Sequence, residues 1–209
     1  AGVRSRHVVE PGVTSADLCF EAAADLMTRL GWAPESVTGL ILVTQSPDYF
    51  LPSSSCMVHK WLGLSDRCAA FDLGLGCSGY PYGLYLASTM LHAGGQQRIL
   101  LLHGDTPSVF VTPDDYATTL LFSDAGSATA IETSPEAGPS WFCLQSDGKG
   151  YDGLIIRGGG FRDRHPANPR HLSLEMDGAA VFQFTIQRVP PLVRDTLEYA
   201  GLQPNDIDW

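Results

Sequence analysis

Amphipathic and uniformly apolar segments alternate along the first third of the chain. Thr14 and Ser15 are good helix N-caps, and ADLCFEAAADLMTRL after them has apolar residues at helical spacing until Gly31, which predicts a helix ending there. Residues 37–44 (VTGLILVT) are an apolar, β-branched run that is typical of a strand buried on both faces. A polar loop then leads into a predicted short helix at about residues 54–62.

The same alternation continues to the middle of the chain. Residues 69–73 (AAFDL) predict another buried strand, followed by GLGCSGYPYG and a long, almost uncharged helix that reaches about residue 92. Residues 98–105 (RILLLHGD) predict the next strand. Strands separated by helices of this length need crossover connections, so the pattern predicts an α/β fold with a mostly parallel, buried sheet.

The C-terminal part has a different pattern. Residues 114–168 contain a short helical segment (DDYATTLLF) and then segments typical of antiparallel strands and loops. Residues 174–200 are helical by pattern, although Pro190-Pro191 should kink or divide that helix. Residues 25–39 and 195–209 align without gaps, which suggests an internal repeat whose second copy begins a strand at its end, although a match this short also arises by chance.

Composition and charge exclude several classes of function. The chain has 13 Lys+Arg and 23 Asp+Glu, and its net charge of -10 disfavours a general affinity for nucleic acid or an anionic membrane surface. No apolar stretch reaches the roughly 18–20 residues of a membrane span, and the first residues lack the apolar run of a signal peptide. The 5 cysteines contain no CxxC pair, so we expect neither a disulfide framework nor a zinc site, and a reducing, cytoplasmic location.

Cys77 is the candidate nucleophile among those cysteines. It stands between the predicted strand AAFDL and the apolar helix, with Gly76, Ser78 and Gly79 around it. A thiol at a helix N-terminus is favoured as thiolate, and small neighbours permit a sharp turn and the close approach of another group. Position alone also fits a small, inert core cysteine, which is the commoner role of a buried thiol.

Six segments occur in the order expected of one protein family. They are AGVRSRH, FLPSSSCMVHKWLG, AAFDLGLGCSGYPYGL, ILLLHGDT, LLFSDAGSATAIE and HLSLEMDGAAVFQF. The chain thereby resembles β-ketoacyl-acyl-carrier-protein synthase III, a thiolase-like condensing enzyme, with FSDAG where that family usually has FGDGAG. The resemblance implies a thiolase-like fold of duplicated α-β-α-β-α layers. Residues 1–172 would form its N-terminal half, with an inserted loop and strand region at about 112–172, and residues 173–209 would start the second half.

The resemblance also implies an activity. In the family the cysteine that matches Cys77 takes an acyl group from a thioester, usually acyl-coenzyme A, and a malonyl unit on acyl carrier protein then condenses with it, in fatty-acid or related biosynthesis. We expect no cofactor or metal, a homodimer, and no nucleic-acid or membrane partner. The family's His and Asn donors lie in the second half, the His in a His-Gln-Ala-Asn segment that follows the position of Trp209. We therefore expect a fragment trimmed at both ends, with a truncated, inactive product as the alternative.

Three further positions bear on the substrate through this resemblance. Leu51 stands where the best-known bacterial members have a Phe that lines the acyl pocket across the dimer, so it either admits a longer or branched acyl group or is an ordinary apolar exchange. Tyr116 stands where many members have an Arg that stacks on adenine, which leaves the acyl-coenzyme A donor open. Phe122 matches a pocket aromatic and fits a core position equally well. The alternatives are an acyltransferase of secondary metabolism with another acceptor, or a non-catalytic chain.

Overall fold

The computed structural model describes residues 3–208, which form two compact units. The larger unit comprises residues 3–108 and 123–137, and the smaller unit comprises residues 109–122 and 138–208. The boundary expected near residue 172 separates the two halves of a duplicated fold, and it stays a prediction.

Helix α1 (Ser15–Leu30) opens the larger unit and follows its sequence signals closely. The Asp17 N–H donates to the Thr14 hydroxyl, and the Thr14 N–H donates to the Asp17 carboxylate at 2.9 Å, which completes a capping box. Gly31 ends the helix in the left-handed region at a φ of 64°, a conformation that favours glycine. The predicted helix is confirmed.

Four strands form the sheet of the larger unit. They are β1 (Gly39–Val43), β2 (Ala69–Leu73), β3 (Arg98–Asp105) and β4 (Ala125–Glu132), in the spatial order β2-β1-β3-β4. β1 pairs in parallel with β2 and with β3, whereas β4 is antiparallel to β3, so the predicted mostly parallel sheet is confirmed. Because β1, β2 and β3 run in one direction, their carboxyl ends lie together, and we call this region the carboxyl end of the sheet.

Helices cover both faces of this sheet. Helices α1 and α2 (Ser54–Trp61) pack on one face, where Leu40 and Leu100 belong to the same apolar cluster as Cys19 and Val58. Helix α3 (Gly79–Ala93) packs on the other face, against a cluster that contains Ile41 and Leu101. Neighbouring strand residues thus enter opposite clusters, as the alternation of side chains along a strand requires.

The prediction of a buried strand at residues 69–73 is right in its bounds and wrong in its burial. Ala69 is exposed, and the other four residues of β2 are half-buried. The reason is topological: in the described part of the chain β2 is the outermost strand of the sheet and pairs only with β1. β1, with strands on both sides, is fully buried.

The smaller unit has less regular structure. It contains a short helix α4 (Tyr116–Thr119), a two-stranded antiparallel sheet of β5 (Leu154–Ile155) and β6 (Glu175–Met176), and a long helix α5 (Gly178–Ala200). α5 is continuous through Pro190 and Pro191, so of the two predicted outcomes the division is wrong, and the kink stays a prediction. A proline removes its own N–H donor but keeps its carbonyl acceptor, and the flanking turns carry the helix across the pair.

The suggested repeat has a shared local structure. In each copy a left-handed glycine ends the helix, the next residue donates its N–H back into the last helical turn, and a short 3-10 turn then begins at a proline. These residues are Gly31, Trp32 and Pro34 in the first copy and Gly201, Leu202 and Pro204 in the second. The expected strand after the second copy is absent at Ile207 and Asp208, and Trp209 lies outside the described residues.

Candidate active site

Cys77 lies at the carboxyl end of the sheet, between the end of β2 and the start of α3. Its side chain is exposed. The Gly79 N–H donates to the Gly76 carbonyl at 2.8 Å, which closes the turn that carries Cys77. The predicted position of the thiol, an accessible strand-to-helix turn, is confirmed, and its chemical role stays a prediction.

Glycines allow this turn and α3 to lie directly against the sheet. A Cβ at Gly79 would overlap the Cγ1 of Val43, the last residue of β1. A Cβ at Gly83, one turn further along α3, would lie 2.5 Å from the Cδ1 of Leu101. The small residues around Cys77 are therefore required by packing as well as by the tight turn.

The first turn of α3 is also anchored by a tyrosine. The Tyr80 hydroxyl shares a hydrogen bond of 3.0 Å with the Thr129 hydroxyl on β4, and the Tyr80 ring stacks on His103 with 6.3 Å between ring centroids. The helix start is thereby fixed above β3 and β4. A fixed helix N-terminus holds its partial positive charge in a constant place, which favours an anion such as a thiolate nearby.

The two buried cysteines of the larger unit, Cys19 and Cys68, have the properties of inert thiols. Burial raises the pKa of the Cys19 thiol to about 12 and that of Cys68 to about 11, so both are protonated at neutral pH. Cys19 has no exposed surface. Cys56, on α2, is exposed like Cys77. Accessibility separates Cys77 from the two buried thiols but not from Cys56.

Leu51 lies in the loop that joins β1 to α2, and 82% of its surface is exposed. The end of this loop is tied to β2 by Asp72, whose two carboxylate oxygens accept the Ser54 N–H at 2.7 Å and the Ser55 N–H at 2.8 Å. A carboxylate from a neighbouring strand thus caps the N-terminus of α2. The strand that leads to Cys77 and the loop that carries Leu51 are therefore linked through one side chain.

Tyr116 and Phe122 belong to the smaller unit. Tyr116 is the first residue of α4 and is 72% exposed. Asp115 caps α4 by accepting the Ala117 N–H at 3.0 Å, which fixes the backbone on both sides of Tyr116. Phe122 is half-buried, and its N–H donates to the Thr118 carbonyl at 3.1 Å. The structure thus brings Tyr116 and Phe122 together around α4, and Cys77 and Leu51 within the larger unit.

Known proteins are similar to this chain in both sequence and fold. The family model "3-Oxoacyl-[acyl-carrier-protein (ACP)] synthase III" matches residues 71–149, a range that contains Cys77. A protein of Campylobacter jejuni named "Putative 3-oxoacyl-[acyl-carrier-protein] synthase 3" is 36% identical over 218 residues, which cover 99% of this chain and 61% of that protein. The chain is thus similar to a protein named as a synthase III over 99% of its own length.

Solved structures of synthase III confirm the thiolase-like α/β fold. A 2.1 Å crystal structure of 3-oxoacyl-(acyl-carrier-protein) synthase III matches with a TM-score of 0.94 at 36% identity, covering 99% of this chain and 66% of that one. The corresponding synthase of Burkholderia xenovorans LB400 matches with a TM-score of 0.90 at 39% identity, covering 99% of this chain and 61% of that one. The chain therefore spans just under two thirds of the length of these relatives.

Two features are absent from the described part of the chain. Residues 3–208 contain no group of three or more His, Cys, Asp or Glu side chains placed to hold a metal ion. Within the same range, no helix combines the length and apolar character needed to cross a bilayer.

Sequence reasoning missed Asp72 as part of the site. Its signal was available, because an aspartate within the apolar run AAFDL is unusual in a strand that is otherwise apolar. The burial of its partners Ser54 and Ser55, both without exposed surface, shows why the carboxylate is needed there.

Proposed function

We propose that this chain carries the acyl-accepting half of a 3-oxoacyl-[acyl-carrier-protein] synthase III, with Cys77 as the nucleophile. The observation that supports this most directly is the exposed Cys77 thiol in the turn before α3, within the range that the family model matches. In the first step the thiolate attacks the carbonyl carbon of an acyl thioester. A new sulfur–acyl bond forms, the bond from that carbon to the donor's sulfur breaks, and the donor leaves as a free thiol after taking a proton.

The second step joins the acyl group to a malonyl unit held on acyl carrier protein. Loss of carbon dioxide from the malonyl thioester leaves an electron pair on its α-carbon, which attacks the acyl carbon and releases the Cys77 thiolate. Negative charge develops on a thioester oxygen in this step, and fixed hydrogen-bond donors must stabilise it. We assign those donors, by family resemblance, to His and Asn positions that follow residue 209.

Three residues are proposed to contact the substrate. Leu51 would line the acyl pocket, and its exposure in a loop leaves room for an acyl chain beside it. Tyr116 would stack on the donor, and its exposed ring is available to do so, although it lacks the positive charge of the family's Arg. Phe122 would contact the acyl chain, by its match to a pocket aromatic of the family. Acyl-coenzyme A and acyl carrier protein are the proposed donor and partner, in a cytoplasmic homodimer.

The proposed acylation is tested by mass spectrometry of the full-length protein after incubation with acetyl-coenzyme A and with acyl-coenzymes A of increasing chain length. We expect one acyl adduct per chain, on the Cys77 peptide. Cys77→Ala should abolish the adduct, whereas the matched variant Cys56→Ala should keep it, since Cys56 is also exposed but lies on α2.

The outcomes separate the candidate functions. An adduct that malonyl-acyl carrier protein does not discharge would favour an acyltransferase with another acceptor. A folded protein with no adduct on Cys77, from acyl-coenzyme A or from acyl carrier protein, would leave only the non-catalytic alternative.

A further inference from the structure

We propose that Asp105 and Gln45 are positioning residues for the Cys77 turn: Asp105 fixes the backbone that follows β1, and Gln45 transmits that placement to Gly76. The proposal deepens the function proposed for Cys77 and rests on it. Asp105, Gln45 and Gly76 lie at the carboxyl ends of three adjacent strands, and none of these three residues is proposed to touch the substrate.

The first link is a set of hydrogen bonds onto one carboxylate oxygen. The Oδ1 of Asp105, at the end of β3, accepts the Gln45 N–H at 2.7 Å, the Ser46 N–H at 3.0 Å, and the hydroxyls of Thr44 at 3.0 Å and Ser46 at 2.9 Å. The Ser46 hydroxyl in turn accepts the Thr106 N–H at 2.9 Å. Charge-assisted hydrogen bonds are stronger than neutral ones, so this set holds the residues after β1 firmly against the end of β3.

The second link is a packing contact. Gln45 is the residue whose backbone Asp105 holds, and its side chain extends to Gly76. A Cβ at Gly76 would overlap the Oε1 of Gln45 and lie 3.2 Å from its Cδ. The Gln45 amide therefore fills the space beside the Gly76 α-carbon, one residue before Cys77.

Topology explains why these residues meet. β1 lies between β2 and β3, and all three strands are parallel. The segment after β1, which includes Gln45, is therefore placed between the end of β3, which supplies Asp105, and the turn after β2, which carries Cys77. Gln45 combines a backbone hydrogen bond to Asp105 with side-chain packing on Gly76. A displacement of the residues after β1 would thus shift the Cys77 turn, and small displacements of a reacting group are costly in rate.

The test compares Asp105→Asn and Gln45→Ala with Asp25→Asn in the full-length protein. Asp105→Asn weakens the acceptor, Gln45→Ala removes the contact on Gly76, and Asp25→Asn removes the same charge from an exposed position on α1. The first readout is the ratio of Cys77 to Cys56 alkylation by iodoacetamide, in which Cys56 is an internal reference on the same chain. The second readout is the rate of Cys77 acylation by acetyl-coenzyme A, resolved into kcat and KM.

We expect the alkylation ratio and kcat to fall about tenfold in both variants, with KM changed less than about threefold and Asp25→Asn unchanged. The double variant should lose little more than either single variant, since the two residues act in series. An unchanged or higher alkylation ratio in folded Asp105→Asn or Gln45→Ala would overturn the proposal. Alkylation does not need acyl transfer, so a wild-type protein that takes no acyl group but shows the expected ratios would refute the proposed function and keep the positioning network.

Discussion

The interior of the sheet and its carboxyl end are built from the same strands by opposite chemistry. Within β1 every residue is buried and apolar, and Leu40 and Leu42 have no exposed surface. One residue beyond the strand, Thr44 is still buried, but its hydroxyl donates to Asp105. The change from apolar packing to hydrogen bonding on carboxylates thus occurs within a single residue step.

The difference assigns separate tasks to the two regions. Apolar burial in the interior supplies stability through an interaction that is non-directional and scales with the buried apolar area. The carboxylates of Asp72 and Asp105 at the carboxyl end accept backbone N–H groups. These hydrogen bonds are directional and fix the two ends of the loop that joins β1 to α2. Variants in the interior should therefore cost stability with little effect on thiol chemistry, and variants at the carboxyl end should do the reverse or affect both.

Leu100→Ala should give the largest loss of stability. Leu100 has no exposed surface and lies on β3 between β1 and β4, so the truncation leaves a cavity in the core under α1. We expect the free energy of unfolding to fall by about 2–5 kcal/mol, measured by urea denaturation. Leu30→Ala is the matched control, because Leu30 is 48% exposed at the end of α1 and should cost less than about 1 kcal/mol. An altered ratio of Cys77 to Cys56 alkylation in the folded Leu100→Ala protein would contradict the separation of tasks.

Asp72→Asn should have a smaller effect, because it changes one cap. The amide keeps a single acceptor oxygen and loses the negative charge, so one of the two N–H groups at the start of α2 loses its acceptor and the other keeps a weaker, neutral one. We expect a loss of about 1–2 kcal/mol in unfolding free energy and faster proteolytic cleavage in the loop that carries Leu51. The exposed Asp66→Asn serves as the control, and equal losses in the two variants would show that Asp72 is not a cap.

The sequence predicted the structure of the interior better than that of the carboxyl end. The apolar runs at residues 69–73 and 98–105 gave strands with those bounds, because hydrophobic pattern is a local signal. The position of Cys77 followed from its place between a strand and a helix. The network of Asp105 and Gln45 was not predicted, because it depends on which strands are neighbours, and the order β2-β1-β3-β4 is not encoded in any one segment.

The burial predicted for β2 and the division predicted for α5 were also wrong, because neither follows from the local pattern alone. A strand of small and apolar residues has the same local pattern at the outside of a sheet as at its centre, and only strand order decides which it is. In α5, the proline pair is a strong local signal for a break, yet the helix continues through it.

The pH dependence of stability gives the smallest predicted effect and tests the interior alone. Burial raises the pKa of Cys19 from its ordinary value of 9.0 to about 12, so the unfolded chain loses this proton at lower pH than the folded chain. The resulting stabilisation is complete below about pH 9 and is lost as the pH rises toward 12. Between pH 9 and pH 10 this one thiol should account for a loss of about 1 kcal/mol.

Urea denaturation of the wild type and Cys19→Ala at pH 9 and pH 10 isolates this contribution, since all other titrating groups are common to the two proteins. Cys19→Ala should lose about 1 kcal/mol less than the wild type over that interval, whatever its stability at pH 7. An identical pH dependence in Cys19→Ala and the wild type would mean that water reaches the core beneath α1, and the interior would then not be the dry apolar region that the comparison with the carboxyl end requires.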